Sequence, residues 1–522
     1  MKLGSLAMPE LRLGPLRGLL EPTMFILLFQ AAFRWPGLLG GALEAVAVLL
    51  LPVLLFRAAY RGMRWWVLWL SLFAGVALLT IWMPPTIAAK GGIPAPLSWL
   101  AGLLLWAYDS LPSVAALLLA RLVWKRVSGW RGAVAAACVA ALVMVVCDTW
   151  LLHVYPWAWA APLASPPLLG RAAAFLGTEG VTAVVWVHGA MAGHFLASGA
   201  KRPTAVCSAS ALGLLLALSG AWRLLPRGPE LSMDVAIVQP NYPVNTRIPG
   251  QLGDMWARSD ALLQSDGLPK QGRTTLLLWP ESSVTDGNYL LPIPFLAEIA
   301  KGRGVAWLFG TDGWLETGSP QNLVRGEAAG QEPFFQAKVV PMPFGERMPG
   351  PDWLRARLEK IAGFNSWAVG ELGPNSSFRV PAQDGGSISV HPLICSEALI
   401  PGRVRAGLSL AGGDLLTEHT NDAWFETSLA ASLHASMVRL RAVESGVPLV
   451  RVTMSGRSGI VMENGEWRHI SGVMTEGAWS LELKWRPISA PARTAWPFRL
   501  LLLALVCLPV SLVLSAGRKK AD

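Results

Sequence analysis

Glu281, Lys338 and Cys395 have side chains suited to acyl transfer, and each closes a short apolar run: LLLWPE (276–281), FFQAK (334–338) and HPLIC (391–395). A thiol becomes a strong nucleophile when a nearby cation lowers its pKa and a base accepts its proton. Glu281 is the candidate base, tuned upward by burial. Lys338 is the candidate cation, favouring the thiolate and stabilising the oxyanion of a tetrahedral intermediate. Singly, each residue has a plainer reading. A free cysteine is commonly a small buried hydrophobe, and a strand-terminal Glu or Lys is ordinarily a solvated surface group. Their joint occurrence in one chain is what points to chemistry. Cys138, Cys147, Cys207 and Cys507 all fall in long apolar stretches, which leaves Cys395 without a disulfide partner in its own domain.

Such groups can meet only on a rigid frame. From about residue 234 the pattern changes to short β-type runs between polar, Gly- and Pro-containing connections: 234–240, 274–281, 304–310, 334–340, 387–395, 413–422 and 448–454. Helix-like stretches lie between them at 251–265, 293–302, 352–362 and 428–445, the last with Thr427 and Ser428 as caps. Strands apolar along their whole length and alternating with helices predict an α/β domain whose sheets are covered by helices. In such folds reactive groups gather where strands end.

The rest of the chain is too apolar for water. Hydrophobic residues make up 53% and charged ones 15%, and mean hydropathy is +0.43, values that predict an integral membrane protein. Runs long enough to cross a bilayer lie near 19–33, 37–56, 65–83, 97–123, 133–152, 172–198, 205–225 and 497–515. Lys2, Arg12 and Arg17 precede the first; Arg57, Arg61 and Arg64, then Arg121, Lys125, Arg126 and Arg131, then Lys201 and Arg202 fill alternate loops; Arg518, Lys519 and Lys520 close the chain. The positive-inside rule therefore predicts cytoplasmic termini and a periplasmic or extracellular segment between the last two spans. The predicted division is a transmembrane domain over 1–226, a catalytic domain over 227–495, and a final span with a basic tail over 496–522. The formal charge of +10 follows this division: residues 227–495 hold 24 Lys and Arg against 27 Asp and Glu, and the remainder holds 20 against 7. Basicity here encodes topology and calls for no nucleic acid.

Other features carry less. Glu44, Asp109, Asp148, Glu179, His188 and His194 interrupt the spans but are scattered, with no repeat between halves of the kind a transporter shows. His434, beside NDAWF, could assist proton transfer or serve as a capping or core histidine. Between Met348 and Gly373, Trp353, Phe364 and Trp367 mix with Arg355, Arg357 and Lys360, which suits an arm touching lipid headgroups or ordinary loop packing. No cluster of His, Cys and carboxylates resembles a metal site, and no cofactor is expected.

WPES, K-x-x-x-x-P-F-G-E and a C-x-E closing an apolar strand, in that order, resemble the nitrilase (carbon–nitrogen hydrolase) superfamily. The eight-span arrangement, with VQPNYP (238–243), NDAWF (421–425) and HASMVRLRAVESGVPLVR (434–451), is similar to the bacterial apolipoprotein N-acyltransferases over essentially the whole chain. The resemblance implies a multi-span α-helical membrane domain plus a nitrilase-like α-β-β-α sandwich. It assigns Glu281 as general base, Lys338 as oxyanion and charge partner, and Cys395 as nucleophile. Glu346, eight residues after Lys338, and Glu397, two after the nucleophile, match supporting positions, each as a direct participant or as a hydrogen-bonding carboxylate behind one. The implied reaction takes an acyl chain from a phospholipid donor through a Cys thioester to the α-amine of a diacylglyceryl apolipoprotein, at the outer face of the bacterial inner membrane, by a monomer. Two positions depart from the pattern. Ser396 stands where the acyltransferases commonly have Tyr, and VTMSGRSG (452–459) replaces an Asn-containing turn. These leave open a membrane-bound nitrilase-like amidase, or an acyltransferase with a different acceptor.

Overall fold

The computed structural model describes residues 14–34, 41–91, 93–127, 129–155, 157–165, 167–243, 250–270, 273–285, 294–315, 318–363, 365–382, 386–425 and 428–521. Lys2, Arg12, Phe364 and Thr427 lie outside the described residues, as do the side chains of Arg17, Ser428, Arg518, Lys519 and Lys520.

Lipid offers no partner for a bare N–H or C=O, so apolar segments satisfy their backbones internally as helices. The N-terminal helices are α1 (Gly14–Phe33), α2 (Ala42–Tyr60), α3 (Trp65–Leu79), α4 (Met83–Gly91), α5 (Ala95–Arg126), α6 (Gly129–Trp150), the short α7 (Pro167–Gly170), α8 (Ala173–Ala197) and α9 (Lys201–Ala221). Every expected span falls on one of these or on the terminal helix. Among the described residues, five helices are long and apolar enough to cross a membrane. A sixth span forms only if α3 and α4, bent by 51° at their break, count as one, so the apolar run over 65–83 falls on a broken helix. The first and last expected spans fall on α1 and the terminal helix, which are apolar over Leu20–Phe33 and Trp496–Leu512.

The extramembrane part follows in the order β1 (Leu231–Gln239), α10 (Gln251–Ser265), β2 (Thr275–Leu278), α11 (Pro294–Arg303), β3 (Val305–Trp314), β4 (Pro320–Glu327), β5 (Phe334–Ala337), α12 (Asp352–Ala362), β6 (Phe378–Pro381), β7 (Ser387–Ile394), α13 (Pro401–Ala411), β8 (Leu415–Thr420), α14 (Ser428–Ser445), β9 (Leu449–Thr453), β10 (Gly459–Val461), β11 (Trp467–Ile470) and β12 (Gly477–Trp485). Helix α15 (Trp496–Ala521) ends the chain. The strands form two six-stranded sheets, β12-β1-β2-β3-β4-β5 and β11-β10-β9-β8-β7-β6. In each, three central strands run parallel, β1-β2-β3 and β7-β8-β9, with antiparallel strands outside them.

Ile237, Leu276 and Leu308 of the first sheet meet Val390, Leu415 and Val450 of the second across the middle of the sandwich. On the outer face of the first sheet, Trp256 of α10 and Leu296 of α11 pack on Trp279, Trp307 and Phe309. Both faces of the parallel strands are therefore buried, which explains their unbroken apolar sequences. The outer face of the second sheet is covered by α13 and α14, whose Leu408, Leu433 and Val438 share one apolar cluster with Phe56 and Trp186 of the membrane helices. Charge seals this contact. Arg405 Nη1 donates to Glu179 Oε2 at 3.1 Å, Thr178 Oγ1 donates to Glu444 Oε1 at 2.7 Å, and Arg441 Nη2 donates to Thr178 Oγ1. The chain bends out of helical geometry at Gly177 (φ 68°), where a Cβ would come within 2.9 Å of Glu179 Oε2. Glu179, an intramembrane carboxylate in the sequence, is thus a docking group for the two-sheet domain.

Candidate active site

Four strand ends converge. The turn after β2 carries Glu281, the residue after β5 is Lys338, the residue after β7 is Cys395, and β8 ends at Thr420 and Asn421. Because β7 and β8 are parallel with Ile394 opposite His419, Cys395 comes level with Thr420. All three predicted residues are buried.

Close backbone approach positions the carboxylate. Gly310 of β3 lies so near the bend that a Cβ there would fall 2.4 Å from Glu281 Cα, so only glycine fits. Glu281 Oε1 accepts from Asn322 Nδ2 at 2.6 Å and lies 3.5 Å from Lys338 Nζ, while Oε2 accepts from the Asn421 backbone N–H at 2.8 Å. Lys338 Nζ donates to Glu346 Oε1 at 2.8 Å, and that oxygen also accepts from Asn322 Nδ2 at 3.0 Å. The other oxygen, Glu346 Oε2, accepts the Met342 N–H at 2.6 Å. Lys338 therefore stands between two carboxylates, and Asn322 bridges the same pair.

Cys395 sits at φ 52° on the turn between β7 and the short helix over Cys395–Leu399. Ser282 (φ 54°) and Phe344 (φ 62°) flank Glu281 and Glu346 in the same unfavourable region. Positive φ costs a non-glycine residue free energy and persists where the surroundings over-determine it. Three of the five such residues described thus lie at this site. Glu397 is not beside the thiol. Its carboxylate accepts the N–H groups of Val339 (2.7 Å), Val340 (3.1 Å) and Ile394 (3.0 Å) and pairs with Arg403 Nε at 3.0 Å. It ties the segment after Lys338 to the strand end before Cys395, which favours the hydrogen-bonding alternative for this residue.

The electrostatics follow from burial. Desolvation pushes the Cys395 thiol well up, as do Glu281 and Glu346; Lys338 and the Thr420 hydroxyl pull the other way. Burial also raises Glu281, with Lys338 opposing and Glu346 reinforcing. Burial works against the Lys338 cation, but Glu346, Glu281 and Cys395 outweigh it and hold the ammonium charged. Burial thus favours the protonated thiol, with a carboxyl group of raised pKa in the same cluster.

Sequence reasoning missed Asn322, which lies on β4, a strand whose buried Gln, Asn, Arg and Glu residues hid its character. His434 is a core histidine. Its Nδ1 is 2.9 Å from Asp422 Oδ1 and its Nε2 3.1 Å from Glu418 Oε1, in a buried group with Arg451. The end of the aromatic–basic segment packs on the loop that carries Lys338 and Glu346: Trp367 N–H donates to Glu346 O and Gly370 N–H to Lys338 O, both at 2.8 Å. Trp353 and Ile361 of α12 are exposed. In the departing turn, Met454 N–H bonds Thr420 O at 3.0 Å, and a Cβ on Gly456 would overlap Asp422 Oδ2. Among the described residues no group of three or more His, Cys, Asp or Glu is placed to hold a metal.

The carbon–nitrogen hydrolase family matches residues 330–473, a stretch that holds Lys338, Glu346, Cys395 and Glu397 but stops short of Glu281. Three apolipoprotein N-acyltransferases are similar to this chain over more of its length. The protein from Allorhizobium ampelinum is 29% identical over 80% of this chain and 79% of its own. Those from Brucella suis (29%, over 70% and 69%) and Photobacterium profundum (28%, over 61% of each) match less of it. A solved branch 10 nitrilase-superfamily protein from Saccharomyces cerevisiae is 15% identical over 52% of this chain and 94% of its own, with a TM-score of 0.35. With membrane helices, a two-sheet sandwich and these relatives, the chain is similar to the apolipoprotein N-acyltransferases and, over residues 330–473, to the carbon–nitrogen hydrolases.

Proposed function

We propose that this chain transfers an acyl group from a phospholipid to the α-amine of the lipidated N-terminal cysteine of an apolipoprotein, through a thioester on Cys395. The observation that carries the reading is the convergence of Glu281, Lys338 and Cys395 in one buried cluster, on a domain packed directly against membrane helices. Glu281 takes the thiol proton as Cys395 Sγ bonds to the ester carbonyl carbon. The oxygen of the tetrahedral intermediate gains charge beside the Lys338 ammonium. The carbon–oxygen bond breaks, the lysophospholipid leaves with the proton held by Glu281, and the acyl group remains as a thioester. The acceptor amine then attacks that carbonyl and gives its proton to Glu281. The carbon–sulfur bond breaks, an amide forms, and the thiol regains the proton. Glu346 supports the step by holding Lys338, and Glu397 by joining the two strand ends.

The domain division at 226/227 and 495/496 suits this chemistry, with the catalytic domain periplasmic, both termini cytoplasmic, and the protein a monomer in the bacterial inner membrane. Both substrates carry acyl chains that each cost about 0.8 kcal/mol per CH₂ to expose to water, and a site at the bilayer surface avoids that cost. Mass spectrometry of purified protein with phospholipid tests the reading. An acyl adduct on Cys395 that a diacylated lipopeptide discharges, and water discharges only slowly, is the expected result. Rapid discharge by water identifies a hydrolase instead of a transferase. Activity retained without an adduct in Cys395→Ala overturns the thioester route.

A further inference from the structure

The base has a second, unassigned support. Trp279, Pro280 and Glu281 make the bend after β2, and on one side β3 holds it: Trp279 N–H donates to Leu308 O at 3.0 Å, Gly310 N–H to Pro280 O at 3.1 Å, and Ser283 N–H to Gly310 O at 3.0 Å. On the other side the Trp279 carbonyl faces the second sheet, where His419 Nδ1 lies 2.7 Å away. His419 Nε2 lies 3.1 Å from Thr417 Oγ1 on the same face of β8. A carbonyl oxygen can only accept, so Nδ1 carries the proton and Nε2 receives the Thr417 hydroxyl. His419 is fully buried, and burial lowers its pKa to about 4, so this neutral tautomer persists through the neutral range. Consecutive residues of one strand end thus serve both reacting groups. His419 holds the base's bend, Thr420 stands level with the nucleophile, and Asn421 N–H holds the Glu281 carboxylate.

We propose that His419 is a positioning residue for the general base: its Nδ1–H, donated to the Trp279 carbonyl, fixes the bend so that Glu281 faces Cys395 across the gap between the sheets. The inference rests on Glu281 acting as the base in the proposed reaction. Ser282, at φ 54°, strains this bend, and removing the imidazole leaves a buried carbonyl unpaired. The bend relaxes toward water or β3, and the carboxylate moves with it.

The test is single-turnover acylation of the full-length protein in phospholipid vesicles, read as acyl mass on Cys395 and normalised to titratable thiol. His419→Leu fills the space without a donor, whereas His419→Asn returns an N–H near the place of Nδ1. His419→Leu is expected to slow acylation at saturating donor by about tenfold or more, since small misplacements of a catalytic group have effects of this size. Its apparent KM for donor stays within about twofold of wild type, the pattern of an interaction used in the chemical step. His419→Asn is expected to recover most of the rate. A His419→Leu protein acylating at the wild-type rate overturns the inference. So does a His419→Asn protein that loses rate and melting temperature as far as His419→Leu, because the residue is then only structural. A wild-type protein that forms no adduct, or a Cys395→Ala protein that does, removes the underlying reading as well and is distinguishable from either result.

Discussion

Around Arg451, a guanidinium, an imidazole and two carboxylates are buried together under α14. Around Lys338, an ammonium, two carboxylates and a thiol are buried at the neighbouring strand ends. The two groups share β8 and its exit: Glu418 and Asp422 serve the first, Thr420 and Asn421 the second. In the Arg451 group every shift favours charge. Burial opposes ionisation of Asp422, but Arg451 and His434 outweigh it and lower its pKa; Asp422 and Glu418 likewise raise His434 against burial and against Arg451. In the Lys338 group burial raises both Glu281 and Cys395, so a proton is held where chemistry needs one to move. Equal burial thus has opposite consequences. Where positive and negative groups match in number, the shifts favour the charged forms; where carboxylates outnumber the one cation, they favour the protonated thiol and carboxyl.

Substitutions separate the two by readout. The largest effect falls on Cys395→Ala, which is expected to lower acyl transfer by about 10⁴-fold or more, as loss of a nucleophile does elsewhere, with melting nearly unchanged because a small buried group replaces another. Lys338→Met follows. It removes the cation beside the developing oxyanion, for a loss of about 10² to 10³ in rate, and it also lowers stability because Glu281 and Glu346 lose their shared partner. Rate loss without any melting change would place the lysine outside the carboxylate pair. In the other cluster the readouts reverse. Arg451→Met leaves Glu418 and Asp422 buried without their guanidinium, so it is expected to cost about 3–5 kcal/mol of stability, with the folded fraction still forming the Cys395 adduct. Denaturant titration beside adduct yield checks both halves.

A pH profile sharpens the contrast further. Glu281 must be ionised to act as base, and burial raises it, so the acid limb of kcat/KM is expected above the ordinary glutamate value of 4.5. Glu346 raises Glu281 directly and also shares Lys338 with it. Glu346→Gln removes the repulsion and leaves the ammonium to Glu281 alone. Both changes move the acid limb to lower pH, whatever happens to the maximal rate. A limb that stays in place or moves up would show that Glu346 does not act on the base.

Much of this was legible before the fold was known, for physical reasons. The parallel strands are buried on both faces, so their sequences are continuous apolar runs, and the ends of two of those runs marked Glu281 and Cys395; Lys338 closes β5, an antiparallel edge strand whose Phe334 and Phe335 supplied the apolar cue. The missed strands lack that signature. β4 buries Arg325 against Glu327 rather than burying an apolar row, β6 is a four-residue edge closing on Pro381, and β12 alternates along the opposite edge. Asn322 was lost with β4. The bend between α3 and α4 was invisible because apolarity continues through it while the helix direction does not. His419 lay in a recognised strand, but its role depends on a carbonyl 140 residues away in sequence, which no local pattern encodes.

The smallest expected effect concerns the linkage of stability to pH in the Arg451 cluster. His434 is raised above its ordinary 6.5 in the folded protein, so its contribution is complete below that value and is lost as pH rises through the folded pKa. Asp422 is depressed below its ordinary 3.8, so its contribution is complete above that value and is lost on acidification through its folded pKa. Between 3.8 and 6.5 both contribute in full, and the melting temperature of the detergent-purified protein is expected to fall on the alkaline side of that window. His434→Gln keeps a polar side chain beside Asp422 but cannot titrate. The variant should melt lower than wild type inside the window and lose the alkaline decline, the two curves converging as pH rises. Parallel curves would mean that the imidazole is neutral in the folded protein, and that Arg451 alone balances the two carboxylates.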